Sequence, residues 1–248
     1  MAEFKIKIAG AVASVTSLFD STRDYCRNYL TEEPADFSIV TTREDLAFEQ
    51  EQLRQEALAE GIRIRVFTDP FLERTAIQRK MADYLIDRDV LMVHGSAVAV
   101  DGEAYLFTAR CGTGKSTHTR YWREIFGDRT LMVNDDKPFL KITETGVLAC
   151  GAPWSGKHGL DSNVTLPLKG ICVLQRGSQN RICRAEPEAV AEMLRQQSHR
   201  PLDPEKHGQF RKLTAALTEK CLLWQMQCSK DPQAALVSYG AMSGKKEN

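Results

Sequence analysis

The chain has 248 residues, enough for one large domain or two small ones with a true core. Lys plus Arg and Asp plus Glu each number 33, so no excess charge points to nucleic acid or an anionic membrane surface. The composition, 42% hydrophobic and 27% charged, is that of a globular chain, and no apolar run reaches the roughly 20 residues of a membrane span.

The opening MAEFKIKIAG alternates charge with apolar residues and lacks an h-region, so it does not read as a secretion signal. Seven cysteines are scattered without a C-x-x-C pair. They are expected to be reduced thiols in a cytoplasm, neither a disulfide framework nor a zinc site.

In chain order, residues 3–10 alternate as a strand, 17–30 carry helical spacing, and 36–42 form a second short strand. A charged helix covers 43–61 and stops at Gly61; an alternating strand follows at 62–67; Asp69-Pro70 opens a helix to about residue 87. Residues 90–100 read as one apolar strand, and Asp101-Gly102 as a tight turn into a return strand at 103–109. A helix at 116–126 ends at Gly127, and a strand at 129–136 finishes in Asp135 and Asp136. A hairpin is expected over 137–153, a buried strand within 166–177, a helix at 186–197 and helical segments around 204–226, with the last six residues frayed. The pattern predicts an α/β fold with a mixed β-sheet and flanking helices, since the Asp-Gly hairpin rules out a purely parallel sheet. Residues 1–88 are expected as an N-terminal α/β lobe and 89–248 as a nucleotide-binding lobe, or the two as one continuous domain.

The chemistry concentrates in Ala109-Arg-Cys-Gly-Thr-Gly-Lys-Ser-Thr117. A phosphate loop needs backbone amides converging on oxygens, a lysine that reaches the β- and γ-phosphates, a hydroxyl for Mg²⁺ and a helix N-terminus behind it. Gly112, Thr113, Gly114, Lys115, Ser116 and Thr117 supply these in order, between a strand and a helix. The strict pattern has glycine where this chain has Ala109. Cys111 lies inside the loop and is read as a passive filler.

About 20 residues after Lys115 come Asp135 and Asp136. Successive strand side chains point to opposite faces, so the two carboxylates are expected to divide the work. Asp136 is assigned to Mg²⁺ together with Ser116, and Asp135 to taking the proton of an attacking hydroxyl, with the exchanged assignment left open by the sequence. The Gly-rich stretch 150–163 reads as a long functional loop. In it Lys157 can neutralise charge on a transferring phosphoryl group, His158 can bind an acidic group of an acceptor, and Trp154 is a contact surface or an anchor. Arg176, Arg181 and Arg184 are further candidate cations. His199 and His207 have no metal-binding spacing.

The order VHGSAVAV, DGEAYLFTARCGTGKST and TLMVNDD resembles the C-terminal domain of HPr kinase/phosphorylase and, more loosely, the phosphoenolpyruvate carboxykinases. The resemblance covers about residues 89–176. It implies their shared P-loop fold, ATP or another NTP and Mg²⁺ as ligands, residues 112–117 on the nucleotide phosphates and metal, Asp135 and Asp136 as metal and base, and His94 beside the transfer site; Lys115, Asp135, His94 and the loop's Lys157 are then the candidate catalytic groups. The later segments by which HPr kinases engage HPr are not found here. The better match is therefore to small related kinases whose acceptor is a hydroxyl of a small molecule, peptide or other protein. The family also forms hexamers, which puts a homo-oligomer among the expected assemblies. Two alternatives follow from the same residues: a regulatory nucleotide-binding protein without catalysis, and a carboxykinase-type lyase.

Overall fold

A computed structural model describes residues 1–59, 61 and 63–245. The chain divides into two compact units, Met1–Tyr84 and Leu85–Asn248.

In the first unit, β1 (Ala2–Ile8) and β2 (Ala11–Ser17) form an antiparallel hairpin around Ala9 and Gly10, both at positive φ. Helix α1 (Asp20–Tyr25) follows, then β3 (Phe37–Val40), parallel to β2. Helices α2 (Arg43–Ala59) and α3 (Asp69–Leu85) complete it. The helix expected over 17–30 is shorter: Ser17 pairs with β1, α1 spans six residues, a 3-10 turn follows at Arg27–Tyr29, and Leu30 bridges Ile6. The expected strand at 62–67 is also corrected. Ile62 lies outside the described residues, and 63–68 form no strand. The side-chain amide of Gln50 bonds the Arg65 carbonyl (3.0 Å) and the Phe67 N–H (2.9 Å), satisfying backbone groups a neighbouring strand would otherwise satisfy. Val66 is left 91% exposed. One buried carboxylate organises this unit: Glu73 of α3 accepts from the backbone N–H groups of Leu18 and Phe19 and from the hydroxyls of Thr22 and Thr41.

The second unit is built on a mixed sheet. Its strands are β4 (Val90–Met92), β5 (Gly95–Val100), β6 (Glu103–Thr108), β7 (Thr130–Asn134), β8 (Phe139–Ile142), β9 (Val147–Cys150), β10 (Thr165–Arg176), β11 (Arg181–Arg184) and β12 (Leu222–Cys228). Its helices are α4 (Lys115–Phe126), α5 (Pro187–Gln197), α6 (His207–Lys220) and α7 (Ala234–Ser243). The order runs β4-β8-β9-β10-β6-β5-β7, with β12 also on β10 and β11 on β12. The long β10 is the junction. Its start, Thr165–Pro167, pairs antiparallel with β9; from Leu168 it runs parallel to β6, with a register shift before Gly170, and from Gly170 parallel to β12.

Alternation along the central strands divides the core in two. Ala97, Ala99, Leu106, Ile171 and Val173 face one cluster, with Val190 and Leu194 of α5 and Phe210, Leu213 and Leu217 of α6. Val98, Val100, Tyr105, Phe107, Cys172 and Leu174 face the other, with Trp122 and Phe126 of α4 and Tyr239 and Met242 of α7. Strands covered on both faces are largely apolar, which is why 97–100 reads as a hydrophobic run; the buried Ser96 is paired with the Thr119 hydroxyl at 2.9 Å. Each large side chain so buried contributes about 2 kcal/mol.

Several local expectations change. Residues 90–100 are two strands, not one: the chain breaks at Val93 and His94, whose N–H groups bond the carbonyls of Pro138 (3.0 Å) and Gln197 (2.6 Å). The helical reading of 204–226 holds for α6 but fails at Leu222–Cys228, which inserts as β12 beside β10 and buries alternate Trp224 and Met226. Helix α7 ends at Gly244, at φ 71°, and of the tail expected to fray, 246–248 lie outside the described residues.

Candidate active site

The turn between β5 and β6 has Asp101 at φ 52° and Gly102 at φ 81°, the left-handed pair of a tight hairpin. It returns the chain through the sheet so that β6 delivers residues 109–114 to the start of α4. Gly112 (φ 72°) and Gly114 (φ 121°) occupy backbone conformations that disfavour a side chain. Ala109 is not at positive φ; it is buried among the aromatic core residues, so alanine serves where the strict motif has glycine.

Gly114 precedes α4 as its N-cap and has no side chain with which to cap the helix. Lys115 Nζ donates to the Ala109 carbonyl at 3.0 Å, bracing the lysine across the loop. The helix then splits by face. His118, Tyr121, Trp122 and Phe126 are buried in the core. Lys115, Ser116, Thr119, Arg120 and Arg123 line a cleft of about 780 Å³. Burial pushes the His118 imidazole down to about 3; it sits 2.9 Å from Ser238 Oγ and is a neutral core group.

The same cleft is lined by His94, Asp135, Asp136, Lys157 and His158. Both acids were expected on a strand, pointing to opposite faces. Instead β7 stops at Asn134, whose Oδ1 accepts from the Asp136 N–H (2.8 Å) and the Lys137 N–H (2.6 Å), an Asx-type turn that ends the strand. Beyond that turn, both carboxylates reach one cavity. Their surroundings differ. Asp135 is buried, which pushes its carboxyl above the usual range with help from Asp136; the Gly156 N–H, 2.5 Å from Oδ1, opposes this. Asp136 is also penalised by burial, but His94, Lys137 and Lys115 together hold its carboxyl below the usual range. His94 Nε2 lies 3.3 Å from Asp136 Oδ1, and burial keeps the imidazole below its ordinary value.

The loop 150–163 is laid along the end of β7. Asn134 Nδ2 donates to the Ala152 carbonyl (2.7 Å), the Asp135 N–H bonds the Leu160 carbonyl (3.0 Å), and Ser155 Oγ bonds Asp161 (2.8 Å). A Cβ at Gly151 would sit 1.8 Å from the Ser162 carbonyl oxygen, so this approach admits only glycine. Lys157 and His158 reach the cleft. Trp154 does not: it is 5% exposed, packs near Phe139 with ring centroids 6.1 Å apart, and anchors the loop.

Thr113 and Thr117 border a second cavity of about 580 Å³ on the loop, shared with Tyr121, Arg176 and Lys230; Thr117 lines both. Arg176 Nη2 donates to the Gly112 carbonyl at 2.5 Å. Arg181 and Arg184 line neither cavity, and Arg184 stacks over Trp224. Three contributors escaped the sequence reading: Arg120 and Arg123, legible only as a helical face of α4, and Asn134, whose role needs the turn.

The donors fit a Mg·nucleotide. One carboxylate (Asp136), one hydroxyl (Ser116) and phosphate oxygens are a common Mg²⁺ set, and such a site does not need an all-protein cage. Among the described residues no three His, Cys, Asp or Glu side chains gather as one.

No family model matches the chain, and no curated protein does. Among solved structures, the Hpr(Ser) kinase/phosphatase from Coxiella burnetii is similar over 38% of this chain and 77% of that one, at 13% identity and a TM-score of 0.29. Likeness at that level does not establish a shared fold. Among the described residues no helix is long and apolar enough to cross a membrane.

Proposed function

We propose that the protein is an ATP-dependent phosphotransferase of the HPr kinase-like kind, moving the γ-phosphoryl group to a hydroxyl of a small molecule, peptide or protein. Residues 85–248 are its P-loop catalytic unit. The observation that carries this reading is one cleft in which an uncapped helix end and Lys115 share space with two acids whose proton affinities are driven apart. Divergent carboxylates in one site are how acid–base roles are divided.

In this reading the loop amides and Lys115 bind the β- and γ-phosphates, and Ser116 and Asp136 hold Mg²⁺. When bound, Mg²⁺ neutralises charge on the phosphate oxygens. His94 orients Asp136 from behind. Asp135, with the higher proton affinity, accepts the proton as the acceptor oxygen bonds to the γ-phosphorus; the bond from that phosphorus to the β,γ-bridging oxygen breaks and ADP leaves. Lys157 faces the transferring group, and charge stabilisation of this kind carries most of the barrier reduction in phosphoryl transfer. Seven free thiols and ATP as donor suit the cytoplasm.

The test is transfer from labelled ATP with Mg²⁺ to hydroxyl compounds or extract components. A labelled product made by the native protein but not by Lys115→Ala or Asp135→Asn is expected, with Asp135→Asn still binding nucleotide. Nucleotide binding without any transfer would favour the regulatory alternative, and no nucleotide binding at all would end both.

A further inference from the structure

We infer that the acceptor carries an oxyanion, a carboxylate or a phosphate, gripped by Arg123 with Arg120 on the cleft face of α4. This rests on the phosphotransfer reading and adds to it the chemical class of the acceptor.

The cations of the cleft are not equally committed. Lys115 is braced against Ala109 at the helix start, where the helix dipole favours an anion. Arg123 lies eight residues further, roughly 12 Å along the helix axis at 1.5 Å per residue. A phosphate seated on the first turn of α4 is therefore out of its direct reach. Yet Arg123 lines the same cleft as both acids, and its Nε is buried with no hydrogen-bond partner. A buried guanidinium N–H left unpaired is costly, and an oxyanion that presents two oxygens side by side is the partner its fork geometry fits. Arg120, one turn nearer the loop, makes an exposed pair with Glu124 at 3.4 Å and lies over the Tyr121 ring, 5.4 Å from its centroid. Exposed pairs of this kind are weak and easily exchanged for a ligand. An acceptor with its hydroxyl beside Asp135 and its anionic end on Arg123 would occupy the cleft along its length.

The experiment uses the full chain saturated with Mg²⁺ and the non-hydrolysable analogue AMP-PNP, so that the phosphate loop is filled. Acetate and inorganic phosphate are then titrated separately by calorimetry, to distinguish a carboxylate site from a phosphate site. At least one should bind, and Arg123→Gln should weaken it by about tenfold or more, as expected for losing a charge-assisted bidentate contact. The affinity for a fluorescent ADP analogue should stay within about twofold of native. Arg123→Lys keeps charge and reach, and should show an intermediate loss with an unchanged fold; it carries the test if the glutamine variant does not fold. The inference is overturned if neither anion binds the native complex, or if binding is indifferent to Arg123→Gln and Arg123→Lys. It is equally overturned if these variants lose nucleotide affinity by tenfold, which would make Arg123 a nucleotide ligand. Failure of the native chain to bind ADP would instead strike the phosphotransfer reading.

Discussion

His94 and Asp136 meet at 3.3 Å because the chain breaks between β4 and β5, where a continuous strand would have carried the imidazole past the acid. The pairing is tightened by backbone bonds on both sides: the Gly95 N–H to the Asp136 carbonyl (3.0 Å) and Thr108 Oγ1 to the His94 carbonyl (3.0 Å).

Replacing that imidazole should therefore act through the acid. His94→Gln is expected to raise the Mg²⁺ concentration needed for half-maximal transfer by about 10- to 100-fold, the usual effect of removing a ligand's supporting partner. Nucleotide affinity measured without metal should change little. A Mg²⁺ titration of initial rates checks this, and an unshifted curve would remove His94 from the metal's support.

The two acids should respond oppositely to neutralisation. The folded-state pKa of Asp135 is raised, so its ionised form costs stability at neutral pH, and that cost fades as pH falls through the raised value. Asp136 is lowered; its contribution is present above the unfolded carboxylate pKa of about 3.9 and is lost as pH falls through the depressed folded value. At pH 7, Asp135→Asn should leave Tm unchanged or raise it while abolishing transfer, and Asp136→Asn should lower Tm. Thermal melts of both variants decide the matter; the reverse ordering would exchange their environments.

Burial of His118 makes a separate statement about pH. Its folded pKa, about 3, lies below the unfolded value of about 6.5, so the neutral ring stabilises the fold above pH 6.5. That contribution should drain away as pH drops from 6.5 towards 3, and His118→Asn should flatten the slope of unfolding free energy over this window. Denaturant midpoints measured at half-unit pH steps would show it.

Glu73 is the point of failure of the first unit. Glu73→Ala strands two backbone N–H groups and two hydroxyls in the interior, at a cost of about 3 kcal/mol. Urea unfolding should show the midpoint lowered, and a loss below about 1 kcal/mol would mean that water reaches those groups.

The loop 150–163 should not tolerate Gly151→Ala. Its Cβ would overlap the Ser162 carbonyl, so the segment must lift from β7 and carry Lys157 and His158 away from Asp135. Transfer is expected to fall by about a hundredfold, as a misplacement of about 1 Å can do, while binding of ADP survives. Retained transfer would place the phosphoryl-stabilising cation elsewhere.

The glycine-rich loop, its flanking strand and helix, and the acid pair were legible in sequence because each is local: glycine at positive φ, a lysine after it, an apolar run before it. Local pattern also misled. Residues 222–228 carry no signal that separates a strand from a helix's continuation, and only the vacancy beside β10 decides it. Residues 62–67 alternate like a strand, but the described part, 63–68, forms none, and a glutamine side chain bonds the backbone of Arg65 and Phe67.

By itself the sequence determined which groups are present: a glycine-rich loop with a lysine and a hydroxyl, and two adjacent acids about 20 residues on. Tertiary structure alone decided how those groups are tuned and what else joins them. Burial and neighbouring charge, which separate Asp135 from Asp136, depend on residues far apart in the chain. The arginine face of α4 has meaning only once the opposite face is packed into the core.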